Sequence, residues 1–246
     1  MKKIKMKNFS LPYVLLMSLT MLITCSCNKE SGKPESNQDK KTTTTSNKDS
    51  IEAKKENTAS GKNVTLPSDE QKKLNTFFSN FSEAYLEPFT GGNITGDELI
   101  KFGILHNYKN NFKLFEKAGE NELKIKDALV SEAIGKYFGK TFSAHKSTKD
   151  YKYKNGYYFI TSADGEAYTF SQVTSLSDIG GDRYIASLNI YTASSGWTGN
   201  QHDNPKNWGA DGGEKPELTS KFKATFTKTN GSNGESIYKL IDYIKQ

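Results

Sequence analysis

The chain has 246 residues, of which 34% are hydrophobic and 25% charged, which is enough for one folded domain or a small pair. Its formal net charge of +6 arises before residue 64, because residues 64–246 hold 22 basic and 22 acidic side chains. This neutral balance excludes nucleic-acid binding as the leading interpretation. Both cysteines also precede residue 64, so residues 64–246 have neither a disulfide framework nor thiol chemistry.

The N-terminus combines a basic start with an apolar run. Four lysines precede Asn8, and no charged residue occurs from Asn8 to Asn28. The apolar run covers residues 14–23, the layout of a secretory signal peptide. An uncleaved membrane-spanning helix is the alternative, although such a helix needs about 20 mainly apolar residues and serine, threonine and proline interrupt this one.

Two cysteines end the run, in the segment Ile23-Thr24-Cys25-Ser26-Cys27. This segment resembles the lipobox of bacterial membrane lipoproteins, over residues 1–30 only. In that family a small residue precedes a cysteine whose thiol receives a diacylglyceryl group. Cleavage of the signal peptide then makes that cysteine the N-terminal residue of the mature protein. Ser26 fits this need, so the resemblance implies a signal peptide at 1–26 and lipidation at Cys27, with Cys25 as the alternative. A secretory peptide with two incidental cysteines stays open.

The resemblance implies a cell-envelope protein held outside the cytoplasmic membrane, with the membrane as the partner of its N-terminus. Two or three acyl chains hold a protein almost permanently, since each buried methylene contributes roughly 0.8 kcal/mol. Asn28 replaces the aspartate that retains such lipoproteins in the inner membrane. The outer membrane is therefore favoured in a bacterium with two membranes.

Residues 27–63 are predicted to be a disordered polar tether. They are rich in Lys, Glu, Ser, Asn and Thr, with Ile51 as the only large aliphatic residue. Such a composition cannot bury enough surface to offset the entropy of ordering. As a random coil the tether spans about 30–36 Å, which lifts a domain clear of lipid headgroups. A tail that folds on a partner is the alternative.

Three helices are predicted at the start of a single domain, residues 64–246. Ser68 and Gln71 have capping-box spacing, as do Thr95 and Glu98. Apolar residues then recur at helical spacing. In the three helices they are Leu74, Phe77, Phe78, Phe81 and Tyr85; Leu99, Phe102, Ile104, Leu105, Tyr108, Phe112 and Phe115; and, after a candidate cap at Asp127, Val130, Ile134, Tyr137 and Phe138.

Strand patterns follow after Lys149. Asn155-Gly156 separates two aromatic segments and is the favoured pair for a tight hairpin. Alternating patterns then predict five or six mostly antiparallel strands. Beyond the hairpin they occur around residues 168–173, 184–190, 222–226 and 237–244.

This order predicts an α+β fold in which three N-terminal helices pack on one curved, mostly antiparallel five- or six-stranded sheet. It resembles the cone-shaped fold of the nuclear transport factor two-like and cystatin-like group, by element order and without a shared motif. The resemblance implies a pocket between the helices and the concave face of the sheet. Activity in that group ranges from ligand binding through isomerase and dehydratase chemistry to assembly, so the fold does not settle the function.

The connection at residues 192–219 gathers the candidate site residues. Connections longer than about 12–15 residues tend to be functional or disordered. This one holds both tryptophans, Trp197 and Trp208, with His202 and Asp203 between them. Indole rings beside polar side chains suit stacking on a sugar or another flat ring, or a protein contact. A structural role in pinning the loop is one alternative, and catalysis is another.

No enzyme signature is present in the sequence, so no catalytic residue, cofactor or metal is predicted. His202, Asp203 and Asp211 match no zinc-binding spacing. His106 lies within the second predicted helix and is interpreted as an interfacial residue. His145 lies in a polar connection and is interpreted as a surface-loop residue.

The sequence therefore predicts a lipid-anchored envelope protein whose domain binds a glycan, a peptide or an envelope protein through the loop from Trp197 to Trp208. Trp197→Ala and Trp208→Ala are each expected to abolish binding without unfolding the domain. One alternative is a cone-fold enzyme with His106 or His202 beside a carboxylate in a closed pocket. The other is a structural assembly protein that self-associates.

Overall fold

The computed structural model describes residues 61–162, 167–210 and 212–246. The predicted signal peptide, Cys25, Cys27 and nearly all of the predicted tether lie outside the described residues, as does Asp211. The described residues belong to one compact unit, within Lys55–Gln246. The unit has its own hydrophobic core, whose described members run from Leu74 to Tyr243, so it is expected to fold without the preceding segment. No helix among the described residues is long and apolar enough to cross a membrane.

The described residues form three α-helices and two antiparallel sheets. The helices are α1 (Ser68–Glu83), α2 (Gly96–Asn110) and α3 (Asp127–Phe138). The five-stranded sheet has the order β1-β6-β7-β8-β9, with β1 Lys62–Asn63, β6 Tyr168–Gly180, β7 Arg183–Ala193, β8 Glu217–Asn230 and β9 Ser236–Lys245. The four-stranded sheet has the order β2-β3-β5-β4, with β2 Glu116–Lys117, β3 Glu122–Lys126, β4 Lys152–Lys154 and β5 Tyr157–Thr161.

The predicted fold class is wrong, although its α+β character is confirmed. Three N-terminal helices on one five- or six-stranded sheet were expected, but β1 precedes α1, and β2 and β3 lie between α2 and α3. The hairpin β4–β5 joins β3 in a separate sheet instead of extending the meander. Strand β3 has only Leu123 and Ile125 as apolar residues, too short an alternation to stand out. The element order behind the cone-fold resemblance does not occur.

Three helices occur at the predicted places, but α1 ends before Tyr85, α2 ends before Phe112 and Phe115, and only one of the predicted caps is confirmed. Thr95 Oγ1 accepts a hydrogen bond from the backbone N–H of Glu98 at 3.2 Å. Ser68 is already helical, and no side chain of the described residues caps α1. Asp127 is likewise the first residue of α3, and its carboxylate accepts the hydroxyl of Tyr153 at 2.6 Å.

Aromatic side chains of α1 join the helices to the five-stranded sheet. Phe78 and Phe81 are fully buried. The ring of Phe78 meets Phe226 of β8 edge-on at 5.4 Å between centroids. The ring of Phe81 lies 5.3 Å from Phe102 of α2 and 6.3 Å from Tyr243 of β9. Such pairs contribute about 0.5–1.5 kcal/mol each beyond the burial of area, so they fix α1 over the sheet.

Polar side chains of α1 close the edge of β6 that β1 leaves open. The backbone N–H groups of Val173 and Ser171 donate to Asn75 Oδ1 at 2.9 Å and Ser79 Oγ at 3.0 Å. Four helical residues rise about 6 Å, close to the rise of two strand residues. Side chains four apart on α1 therefore match alternate amides of β6, and this edge cannot pair with another chain.

Helices α2 and α3 cross closely at Gly103. A Cβ at this position would lie 2.7 Å from Val130 Cγ1 and 2.9 Å from Val130 O. Because neither distance is compatible with a side chain, the approach of the two helices requires glycine.

Candidate functional site

Both tryptophans of the β7–β8 connection pack onto the five-stranded sheet. Trp208 is 7% exposed and meets Tyr191 edge-on at 4.9 Å and Phe170 at 5.5 Å. Trp197 is half-buried and stacks on Phe170 at 5.2 Å, with ring planes 6° apart. With Tyr168 these rings form a second core cluster, which we call the tryptophan cluster. The two indoles therefore hold the loop against β6 and β7.

Local hydrogen bonds fix the shape of this loop. The Nε1–H of Trp208 donates to the carbonyl of Asn200 at 3.0 Å. At the base, Ser194 donates its backbone N–H to Glu214 Oε1 at 2.7 Å and its hydroxyl to Glu214 Oε2 at 2.5 Å. These two hydrogen bonds hold the pKa of Glu214 below its usual value. A Cβ at Gly199 would overlap the indole of Trp197, which explains that glycine.

A cavity of about 400 Å³ is lined by residues of the β7–β8 connection, both tryptophans among them. The two indoles are themselves in edge-on contact, 5.9 Å apart between ring centroids. The lining of the cavity includes two carboxylates and two amides beside the indole rings. These aromatic, amide and carboxylate side chains are Trp197, Asn200, Asp203, Asn207, Trp208 and Glu214. Asp203 is exposed, and its Oδ1 accepts from Asn200 Nδ2 at 2.8 Å. The cavity thus offers several hydrogen-bonding groups beside the half-buried indole of Trp197.

His202 does not line this cavity, although Asp203 does. The imidazole Nδ1 is buried and has no hydrogen-bond partner among the described residues. Its Nε2 lies 3.5 Å from Gln201 Nε2. Burial lowers the pKa of His202, and Lys72 adds to this effect while Asp203 opposes it. His202 and Asp203 are neighbours in sequence, but their side chains do not line the same cavity.

His106 also lies outside the cavities. It is 5% exposed and stacks on Phe102 at 5.6 Å. A cavity of about 300 Å³ is lined by Glu83, Asn110 and Tyr168 among others, but not by His106. The side chain of Asn110 separates His106 from Glu83: its Nδ2 lies 3.2 Å from Glu83 Oε2 and 3.5 Å from His106 Nδ1. Burial raises the pKa of the Glu83 carboxyl. Of the two predicted histidines, therefore, neither faces a carboxylate across a described cavity.

His145 takes part in a network that the sequence did not predict. Its Nε2 lies 2.9 Å from Ser131 Oγ, and its Nδ1 lies 3.0 Å from the Tyr158 hydroxyl. Ser131 donates to the carbonyl of Phe142 at 2.8 Å, so its oxygen accepts from Nε2–H and Nδ1 accepts from Tyr158. The serine proton therefore points away from the imidazole, which is the reverse of an activated nucleophile. The network pins the connection after α3.

The described residues contain no group of three or more His, Cys, Asp or Glu side chains that could hold a metal ion. No protein-family model, curated protein or solved structure matches this chain.

Proposed function

We propose that the chain is a lipid-anchored cell-envelope protein whose folded unit binds a saccharide in the cavity of the β7–β8 connection, which Trp197, Asp203 and Asn207 line. The observation that supports this proposal is the lining of that cavity. Asn200, Asp203 and Glu214 already make hydrogen bonds within the loop, but each carboxylate oxygen has a second lone pair and the Asn207 amide has no side-chain partner among the described residues. These groups suit the paired hydroxyls of a sugar. The half-buried indole of Trp197 suits the apolar C–H faces of the sugar, whereas Trp208 is buried and holds the loop in place. The volume of about 400 Å³ is in the range of small-molecule sites.

The anchor is supported by the coincidence of a basic start, an apolar run and Ser26-Cys27 at its end. Cys27→Ala is expected to move the protein from the membrane to the soluble fraction, since the acyl chains supply the attachment. Fractionation with metabolic palmitate labelling measures this outcome. Continued labelling of the variant would instead assign the lipid to Cys25.

Asn207→Ala is expected to weaken saccharide binding roughly tenfold, because a ligand hydroxyl would lose one hydrogen bond in a partly desolvated site. The unit Lys55–Gln246 would be titrated with mono- to trisaccharides, including N-acetylhexosamines, while tryptophan fluorescence is recorded. Trp197 and Trp208 are the only tryptophans, so the signal reports on the cavity.

Asn233→Ala is the matched control, since Asn233 is exposed in the β8–β9 turn and does not line the cavity. Its saccharide affinity is expected to equal that of the unmodified unit. The proposal fails if no saccharide alters the fluorescence, or if the two asparagine variants bind equally well.

A further inference from the structure

The outer face of the four-stranded sheet carries four lysines around two aromatic rings. Across β5, Phe159 lies opposite lysines of both neighbouring strands, and so does Tyr157. Directly opposed residues of antiparallel strands point to the same face. Strands lie about 4.8 Å apart, so the flanking lysines stand roughly 10 Å from each other. We call this set the lysine face: Lys124, Lys126, Lys152, Lys154, Tyr157 and Phe159.

Positive charge exceeds negative charge on the lysine face, although residues 64–246 are neutral as a whole. Lys124 pairs with Glu116 at 3.2 Å, and Glu122 stands at the far end of β3. The other three lysines are exposed and have no ion-pair partner among the described residues. The face therefore presents unpaired ammonium groups to an anionic partner.

A lysine ammonium group lies near each ring of the lysine face. Lys124 Nζ lies 4.5 Å from the ring centroid of Tyr157, and Lys152 Nζ lies 5.9 Å from that of Phe159. Single-stranded nucleic acids bind to sheets by stacking bases on open aromatic rings. Tyr157 and Phe159 are half-buried, and lysines of both neighbouring strands flank each ring, so little open ring surface is left for a base. Lysine beside tyrosine and phenylalanine suits a lipid headgroup layer instead, where charged tips meet phosphates and the rings lie at the interface.

We propose that the lysine face docks the folded unit on an anionic membrane surface, with the lysine ammonium groups on lipid phosphates. This contact would add charge-dependent binding to the proposed lipid anchor and would hold the unit in one orientation. The inference rests on the proposed membrane location but not on the saccharide cavity, which is lined by the β7–β8 connection.

The test uses the unlipidated unit Lys55–Gln246 with phosphatidylcholine vesicles that contain about one third phosphatidylglycerol. The unit is expected to sediment with these vesicles at low salt and to be released at high salt. Each lysine near an anionic surface contributes roughly a factor of five. The double variant Lys152→Ala/Lys154→Ala is therefore expected to weaken partitioning roughly 30-fold, and Lys126→Gln roughly fivefold.

Lys221→Ala/Lys223→Ala is the matched control, because it removes the same charge from exposed alternate positions of β8. It is expected to leave partitioning nearly unchanged. Equal weakening by both double variants would overturn the assignment to this face, as would equal binding to pure phosphatidylcholine. Binding to a single-stranded oligonucleotide without binding to the anionic vesicles would assign the face to nucleic acid and overturn the membrane proposal. Unchanged melting temperatures would show that the variants are folded.

Discussion

Trp208→Ala is expected to lower the free energy of unfolding of the folded unit by about 3–5 kcal/mol, the range for truncating a buried aromatic side chain. Trp208 is 7% exposed and packs edge-on against Phe170 and Tyr191. Its Nε1–H also donates to the carbonyl of Asn200, which would lose that partner. Removing the indole leaves a void in the tryptophan cluster that the surrounding sheet cannot close.

Urea denaturation followed by circular dichroism measures this effect. Trp208→Phe is a graded control, because it keeps an aromatic ring in the cluster and loses the hydrogen bond, for an expected loss of about 1–3 kcal/mol. Phe112→Ala is the exposed control, since Phe112 is 54% exposed and its truncation is expected to change stability little. A Trp208→Ala variant with the urea midpoint of the unmodified unit would show that the cluster does not stabilise the fold.

This expectation changes how loop variants should be interpreted. The sequence predicted that Trp208→Ala abolishes binding without unfolding the domain, but the burial of the indole implies that stability changes as well. Loss of binding in that variant would not separate a damaged site from a damaged fold. Asn207 lines the cavity without belonging to the tryptophan cluster, so its truncation separates the two effects.

The helices and the tight hairpin could be predicted because their signals are local. The apolar period of Leu74, Phe78 and Phe81 needs no knowledge of a partner, and these residues are buried. Asn155 and Gly156 have φ of 51° and 79°, the positive values for which that pair is favoured. Such patterns depend on neighbours a few residues away.

The second sheet depends on pairing between distant segments. Leu123 of β3 pairs with Ile160 of β5, and α3 lies between the two strands in sequence. The alternation within each strand is too short to specify this partner. The lysine face has the same origin, since two Lys-x-Lys segments are visible in the sequence but only their register with β5 places them around Tyr157 and Phe159.

The candidate site, too, could be predicted only as far as its signals are local in sequence. The length of the β7–β8 connection and its two tryptophans indicated a site from the sequence alone. The sequence could not show that the indoles face the sheet, nor that Asp203 lines the cavity while His202 does not. The hydrogen-bond network of His145 joins Ser131 and Tyr158 from separate elements, so no local spacing in the sequence predicted it.

Acidification is expected to remove about 3 kcal/mol of stability through His106 as the pH falls from 6.5 to about 4. Burial lowers the pKa of His106 to about 4 from its usual 6.5, and Lys136 adds to this shift. Between these values the unfolded chain binds a proton that the folded unit does not, so the stabilising contribution is present above pH 6.5 and is lost on acidification. One pKa unit corresponds to about 1.4 kcal/mol.

The neutral imidazole fits its surroundings. It stacks on Phe102 and meets the ring of Tyr137 edge-on at 4.7 Å, while Asn110 separates it from the carboxylate of Glu83. A positive charge there would be buried beside aromatic rings without a contacting counter-ion among the described residues.

His106→Gln removes this titration, and so does His106→Phe, which keeps a ring against Phe102. Both variants are expected to be less stable than the unmodified unit at pH 7, yet to lose about 3 kcal/mol less between pH 6.5 and 4. Urea denaturation at half-unit pH steps measures the free energy of unfolding of each protein. The contribution of carboxylate titration cancels when the curve of a variant is subtracted from that of the unmodified unit. Parallel stability curves for the unmodified unit and both variants would mean that the folded unit accommodates a protonated His106, contrary to its burial between Phe102 and Tyr137.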